Sequence, residues 1–308
     1  MRLIILAFVV FLLISAGACA RGPGEGCFTG AFLADKPDKE AIMNFERRYA
    51  KKPYLVMVFV DWKNFPGQEA IAAIYERGSV LFLTWEPWDA VTKKAIDYDG
   101  LLSGKYDAYI TEFAGRMAAI GKTVFLRFGH EPNGNWYPWS GQKIGADKFV
   151  GMYRRVKDIF NKNNCTNVKW VFCVNWEDVP EENNYFLRYY PGPDYADYVG
   201  IDGYNWGNTR SWSRWMSFRE IFAKRYSEVL PLGKPVFISE FSSASSGGDK
   251  KLWIKEAMRD IKKMKKVRGF LLFNLDKEAD WSFPADKESG RELKKALQDP
   301  YFLQNGAY

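Results

Sequence analysis

Eight short apolar runs recur between residues 27 and 275, and a segment of helical character follows each of them. The runs are Cys27–Leu33, Tyr54–Trp62, Ser79–Trp85, Thr123–Phe128, Val168–Asn175, Tyr198–Tyr204, Pro235–Phe241 and Arg268–Leu275. They are rich in Val, Ile, Leu and Phe, as expected of strands covered on both faces. The intervening segments are Asp38–Lys51, Gln68–Arg77, Tyr106–Ile120, Ala146–Asn163, Phe186–Tyr190, Arg214–Val229, Lys250–Lys266 and Asp286–Leu297. Phe186–Tyr190 is a weak, short helical candidate. In the third, Asp107, Ile110, Phe113, Ala114 and Met117 keep i, i+3, i+4 spacing, and Gly121 supplies a stop. Strand and helix alternate without an internal linker, which predicts a single (β/α)₈ barrel over residues 27–308. An open doubly wound sheet is the competing arrangement. It ordinarily carries a Gly-rich dinucleotide loop after its first strand, and none stands there.

Functional side chains of such a barrel sit at the carboxyl ends of its strands. Those ends read Asp61-Trp62, Trp85-Glu86-Pro87-Trp88, Asn175-Trp176-Glu177, Asp202-Gly203-Tyr204-Asn205-Trp206, Ser239-Glu240-Phe241 and Asn274-Leu275-Asp276, with Trp281 soon after. The fourth is the densest. Its apolar residues give way to Gly129-His130-Glu131-Pro132-Asn133-Gly134, followed by Trp136 and Trp139. Pro132 and Gly134 end the strand there. His130 is the one histidine of the chain. Aromatic residues make up 17% of the sequence, and Trp and Tyr offer flat apolar faces with a polar edge, suited to sugar rings. The candidate sugar contacts at the rim are Trp85, His130, Asn133, Trp136, Trp139, Asp202, Tyr204, Trp206 and Trp281.

Glycoside hydrolysis needs two carboxyl groups flanking the scissile bond. Glu131 and Glu240, each at the end of a buried run on the fourth and seventh strands, form the best pair. Glu86, Glu177, Asp61, Asp202 and Asp276 are the other carboxylates at the same rim. In a close pair, an ionised Glu240 would raise the pKa of Glu131, and aromatic burial would add to the effect.

Other classes fit poorly. The formal charge is +7, but the basic residues are scattered over helical stretches, so a nucleic-acid partner is not expected. One histidine and no C-x-x-C pair leave no metal-ligand cluster, so neither metal nor cofactor is expected. Cys173 lies in an apolar run and reads as a buried thiol; Cys27–Cys165 and Cys165–Cys173 bridges stay open. At the amino terminus, Arg2 precedes the apolar run Leu3 to Ile14 and the small residues Ser15-Ala16-Gly17-Ala18-Cys19-Ala20. This reads as a signal peptide over 1–20, too short to span a bilayer, followed by a linker at 21–26. Ala16-Gly17-Ala18-Cys19 also resembles a bacterial lipoprotein box, which would anchor the protein through lipid at Cys19. A secreted or periplasmic monomer is expected, or a surface-anchored one.

His130-Glu131-Pro132-Asn133-Gly134-Asn135-Trp136 resembles the fourth-strand signature of glycoside hydrolase family 26, usually His-Glu-Met-Asn-Gly-x-Trp. Ile238-Ser239-Glu240-Phe241 is similar to that family's seventh-strand motif, and Ile201-Asp202-Gly203-Tyr204-Asn205 to its sixth. Phe273-Asn274 with Ala279-Asp280-Trp281 is similar to its eighth strand and following loop. The resemblance covers nearly all of the chain after the leader, and departs at Pro132. It implies a retaining (β/α)₈ glycosidase with Glu131 as acid/base and Glu240 as nucleophile. It also implies His130 lining the subsite of the reacting sugar, Tyr204 bonded to the nucleophile, and Trp136 and Trp281 as stacking walls. The family includes β-mannanases, mixed-linkage β-1,3-1,4-glucanases and β-1,3-xylanases. Trp136-Tyr137-Pro138-Trp139 stands closer to the glucanase branch than to the Trp-Phe-Trp-Trp of mannanases. The resemblance thus favours a mixed-linkage β-glucan slightly over mannan, with a non-hydrolytic carbohydrate-binding or polysaccharide-export barrel as the other alternative.

Overall fold

Helix and strand alternate around a closed barrel in the computed structural model, which describes residues 26–306 apart from 35 and 285. The expected leader, its cleavage site and Cys19 lie outside the described residues. The barrel strands are β1 (Cys27–Phe32), β2 (Leu55–Asp61), β3 (Val80–Glu86), β4 (Val124–Phe128), β5 (Val168–Asn175), β6 (Tyr198–Asn205), β7 (Val236–Ser243) and β8 (Val267–Phe273). Each pairs in parallel with its neighbour in sequence, and β8 returns to β1 in the register Phe28↔Gly269 to Phe32↔Phe273, closing the sheet. Around it lie α1 (Lys39–Tyr49), α2 (Gln68–Glu76), α3 (Asp107–Ala119), α4 (Ala146–Lys162), α5 (Phe218–Val229), α6 (Lys250–Lys263) and α7 (Glu288–Leu297). The weak segment after β5 is a single 3₁₀ turn, Phe186–Tyr189. The (β/α)₈ architecture is as the alternation predicts. No helix among the described residues is long and apolar enough to cross a membrane.

The two-residue period of the strands sorts the core into two layers. Inside the barrel, Phe28, Phe32, Leu55, Met57, Phe82, Phe125, Val171, Phe237, Leu271 and Phe273 fill the lower lumen. Their neighbours along the chain, such as Val56, Leu81, Leu126 and Phe172, face outward onto the helices. Local signals place the helix starts. Asp38 caps α1 through a 2.7 Å bond from the amide of Ala41, and Ser217 with Glu220 forms a reciprocal capping box on α5. Cys27, Cys165 and Cys173 are all buried free thiols, so neither bridge left open by spacing is formed. Burial pushes their thiols up, Cys165 to about 11.

Candidate active site

The upper lumen is polar, and its centre is Arg127. Val124-Phe125-Leu126-Arg127-Phe128 places Phe125 and Arg127 on the lumen face of β4, so a guanidinium stands fully buried one layer above the aromatic plug. A buried charge is tolerated only when paired and hydrogen-bonded. Arg127 satisfies this from three strands. Its Nε donates to Thr84 Oγ1 at 2.9 Å, one terminal nitrogen to Asp202 Oδ2 at 2.6 Å, and the other to Glu240 Oε1. The rings of Phe59 and Phe82 lie 5.4 and 5.9 Å from its central carbon.

Glu240 reaches that position through a bulge. β7 pairs Ile238 with Ile201 and then Glu240 with Asp202, so β7 spends two residues against one on β6. The pairing with β8 shows the same extra residue. Phe237 faces the lumen, Ile238 the helices, and Ser239 and Glu240 then both face inward before Phe241 turns out to stack near Trp253 of α6. In a regular strand the alternation would send Glu240 to the helix layer with Ile238; the bulge re-aims it. Tyr204 Oη, from β6, donates to Glu240 Oε2 at 2.5 Å.

Glu131 sits past the end of β4 in a sharp turn. Gly129 has φ 54 and Glu131 φ 53, the second in the left-handed region that non-glycine residues rarely occupy. The surroundings hold it there. Its amide donates to the Cys173 carbonyl at 3.0 Å, its carbonyl accepts from Gly134 at 3.0 Å, and Gly141 binds the carbonyl of Pro132 at 2.8 Å. The Glu131 carboxyl accepts from Trp136 Nε1 at 2.8 Å and from Asn175 Nδ2 at 2.9 Å. Burial, then the negative charge of Glu240, raises its pKa from 4.5 to about 7. The two hydrogen bonds and Arg127 oppose that rise without cancelling it.

His130 is neutral at physiological pH: burial, then the positive fields of Arg127 and Lys277, hold its pKa well below the usual value. Its Nε2 meets Tyr137 Oη at 2.9 Å, while Nδ1 is buried without a partner. Tyr137 stacks on Trp139 at 4.2 Å, and Trp88 stands edge-on to both. Beside them Glu86, inward-facing on β3 above Thr84, accepts from Trp88 Nε1 at 3.0 Å. Burial raises the Glu86 carboxyl to about 7, against the pull of Trp88 and Arg127. His130, Asp202 and Glu240 bring ligand atoms within 4.8 Å of one another. Arg127 is already bonded to both carboxylates, so a cation occupies the place a metal would need.

A buried acid with a raised pKa, facing a carboxylate that is braced by an arginine and a tyrosine, is the arrangement of a glycosidase. The family model described as Glycosyl hydrolase family 26 matches residues 25–306. The chain belongs to glycosyl hydrolase family 26. Endoglucanase H of Acetivibrio thermocellus is 39% identical over 281 residues, 89% of this chain and 30% of that protein. A mannan endo-1,4-beta-mannosidase of Bacillus subtilis is 26% identical over 164 residues, 51% of this chain and 41% of that one. The chain thus spans less than half the length of these curated relatives. Among solved structures, a family 26 β-mannanase from Bacteroides ovatus superposes with TM-score 0.67 at 16% identity, covering 91% of this chain and 90% of its own. The catalytic domain of a Bacillus sp. JAMB-750 endo-beta-1,4-mannanase gives 0.66 at 15%, covering 91% and 87%.

Within this family 26 barrel, the structure sorts the expected sugar contacts. Glu131, Glu240, His130, Tyr204, Trp136 and Trp206 line the mouth, and Trp136 is 42% exposed. Five expected contacts lie beneath that surface. Trp85 is 0% exposed because the β3 alternation turns it outward, sandwiched between Trp62 at 4.8 Å and Phe113 of α3 at 3.9 Å. Trp139, also fully buried, supports Tyr137 and donates to the His130 carbonyl at 2.8 Å. Trp281 is 1% exposed and packs behind Tyr204 at 4.8 Å. Asp202 is occupied by Arg127. Asn133 is a buried clamp: its side chain bonds the backbone of Asn175 and Glu177 and the carboxylate of Asp178. Sequence reasoning assigned no role to Arg127, Thr84, Asn175 or Tyr137. Arg127 carried a usable signal, since a charge inside an apolar strand run demands a buried partner.

Proposed function

We propose that this family 26 glycoside hydrolase is a retaining endo-β-glycanase in which Glu240 is the nucleophile and Glu131 the acid/base, with mixed-linkage β-1,3-1,4-glucan as the favoured substrate. The observation that carries the reading is the unequal setting of the two carboxyls. Glu131 is buried, with a pKa about 7 that leaves a large protonated fraction near neutral pH. Glu240 is ion-paired with Arg127 and oriented by Tyr204. In the first step Glu131 gives its proton to the glycosidic oxygen as Glu240 Oε attacks the anomeric carbon, forming a glycosyl ester and releasing the aglycone. Esterification removes the charge of Glu240, which is one of the causes holding Glu131 high. Glu131 then becomes the stronger acid just when it must be ionised, and it takes a proton from the water that cleaves the ester.

The glucan preference rests on the Trp136-Tyr137-Pro138-Trp139 segment and on the greater likeness to Endoglucanase H than to the mannosidases. β-1,4-Mannan is the second reading, favoured by the mannanases among the relatives and structural neighbours. The amino-terminal apolar run supports action outside the cytoplasm. Reducing-sugar release from mixed-linkage β-glucan, mannan, glucomannan and β-1,3-xylan tests the assignment. Fastest release is expected from mixed-linkage glucan. Fastest release from mannan would transfer the substrate to the second reading, and no release from any would overturn the glycanase itself.

A further inference from the structure

Trp212 is 70% exposed, the most exposed tryptophan among the described residues. An indole left in water forgoes the gain of burial, and the loop that carries it is built rather than loose. Gly207 has φ 52, and a Cβ there would meet the Ser246 carbonyl oxygen at 1.8 Å. The amide of Asn208 donates to that same carbonyl at 3.1 Å, tying the β6–α5 loop to the loop after β7. On the other side Arg210 donates to the Glu278 carbonyl at 2.7 Å, tying it to the loop after β8. Ser213 Oγ closes the turn onto the Gly207 carbonyl at 2.6 Å. Three loops of the barrel mouth thus fix one apolar ring in solvent.

That ring continues a line of aromatics leading out of the site. Tyr204, which holds Glu240, packs on Trp281 at 4.8 Å; Trp281 meets Trp206 at 4.8 Å; Trp206 meets Trp212 at 5.4 Å and 61°. Arg210 covers Trp206 at 5.3 Å. Trp281 is buried, so the line ends in one partly exposed ring and one open ring. From this geometry we infer that Trp212 is a stacking platform for a distal sugar of the polysaccharide chain, held beyond the reacting unit on the β6 side of the cleft and separate from Trp136 beside the acid/base. This rests on the glycanase reading above. A distal platform serves a polymer and is out of reach of a substrate that fills only the subsites around Glu131 and Glu240.

The test compares wild type, Trp212→Ala and Trp212→Phe by affinity electrophoresis in gels containing soluble mixed-linkage β-glucan or glucomannan, alongside kinetics on the same polymers and on a short aryl β-glycoside. The Ala variant should bind polymer roughly three- to tenfold more weakly and raise KM on polymer by a similar factor. Its kcat/KM on the aryl glycoside should equal wild type, and Phe should recover part of the loss. The ring is exposed, so unchanged unfolding midpoints are expected. Wild-type retardation with an equal retardation of Trp212→Ala would overturn the platform, as would an equal loss on short and long substrates. If wild type neither binds nor cleaves any polymer of the panel, the glycanase reading fails and the platform fails with it.

Discussion

Replacing Glu86 by glutamine isolates one buried charge at the barrel mouth. The substitution keeps the shape of the side chain and a carbonyl oxygen to accept from Trp88 Nε1, so the bond seen at 3.0 Å survives. It removes the ionisation. In the folded protein the Glu86 carboxyl is raised from 4.5 to about 7, chiefly by burial. The folded state therefore keeps a proton that the unfolded chain has already released. Stability follows the difference in bound protons between the unfolded and folded states, so this group makes wild type lose stability as pH climbs from about 4.5 to about 7, with no further loss above. At about 1.4 kcal/mol per tenfold change in proton affinity, the loss amounts to about 3 kcal/mol. Glu86→Gln should escape it. Urea unfolding of both proteins at pH 5 and pH 8 measures the effect as a difference of differences, in which the titrating groups that do not interact with Glu86 cancel. The variant should gain about 2–3 kcal/mol on wild type between the two pH values. An advantage that is the same at pH 5 and pH 8 would refute the reasoning, because it would mean that Glu86 ionises without cost where it stands.

The remaining expectations concern the proposed catalytic pair and its supports. Glu131→Ala should retain slow glycosylation by an aryl glycoside with a good leaving group, and azide should restore turnover with a β-glycosyl azide; an inverted product would reverse the assignment of the two glutamates. Trp136→Phe removes a hydrogen bond that favours the charged form of Glu131. The basic limb of kcat/KM should therefore move to higher pH, and a limb that stays in place would detach it from Glu131. Arg127→Lys keeps a charge but cannot reach Thr84, Asp202 and Glu240 together. Stability should fall by about 3 kcal/mol, with kcat reduced at least tenfold, as read by urea unfolding and steady-state rates; wild-type values of both would show that the fork is not needed.

The barrel was legible because its signal is repeated: each buried run and each amphipathic helix makes the same statement, and a slip of a few residues at one boundary leaves the topology intact. The two glutamates proposed as the catalytic pair stood out for a related reason. A carboxylate at the end of an apolar strand run is costly to bury and seldom stands there without a chemical role. The sugar-contact list was less legible. Trp85 and Glu86 are adjacent, and one faces α3 while the other faces the lumen; only strand phase decides which, and a strand-end motif does not reveal its phase. Trp139 and Trp281 look like Trp136 in sequence, yet both lie behind the residues that line the mouth. Asn133 reads as a polar rim residue, and its partners are the backbone of Asn175 and Glu177 and the carboxylate of Asp178, which no spacing along the chain discloses. Trp212 stands in a loop six residues past the sixth-strand motif, where nothing in the sequence tells an exposed ring from a packed one.

The bulge in β7 has a consequence for anyone who edits or transplants this motif. The aim of Glu240 depends on how many residues separate it from Ile238 relative to the partner strands, a matter of counting rather than of chemistry. Deleting Ser239 would remove the extra residue and leave the glutamate next to Ile238, facing the lumen opposite Asp202 by plain alternation, so the bulge is what lets Ser239 be kept without turning the carboxylate out. A Ser-Glu-Phe segment copied onto an evenly paired strand with its serine facing the lumen would instead turn the glutamate out through the wall of the barrel. The reverse is also open: a single inserted residue can carry an outward side chain of any barrel strand into the cavity, so parity is a route by which an inert scaffold could acquire a reactive group without changing the identity of one residue.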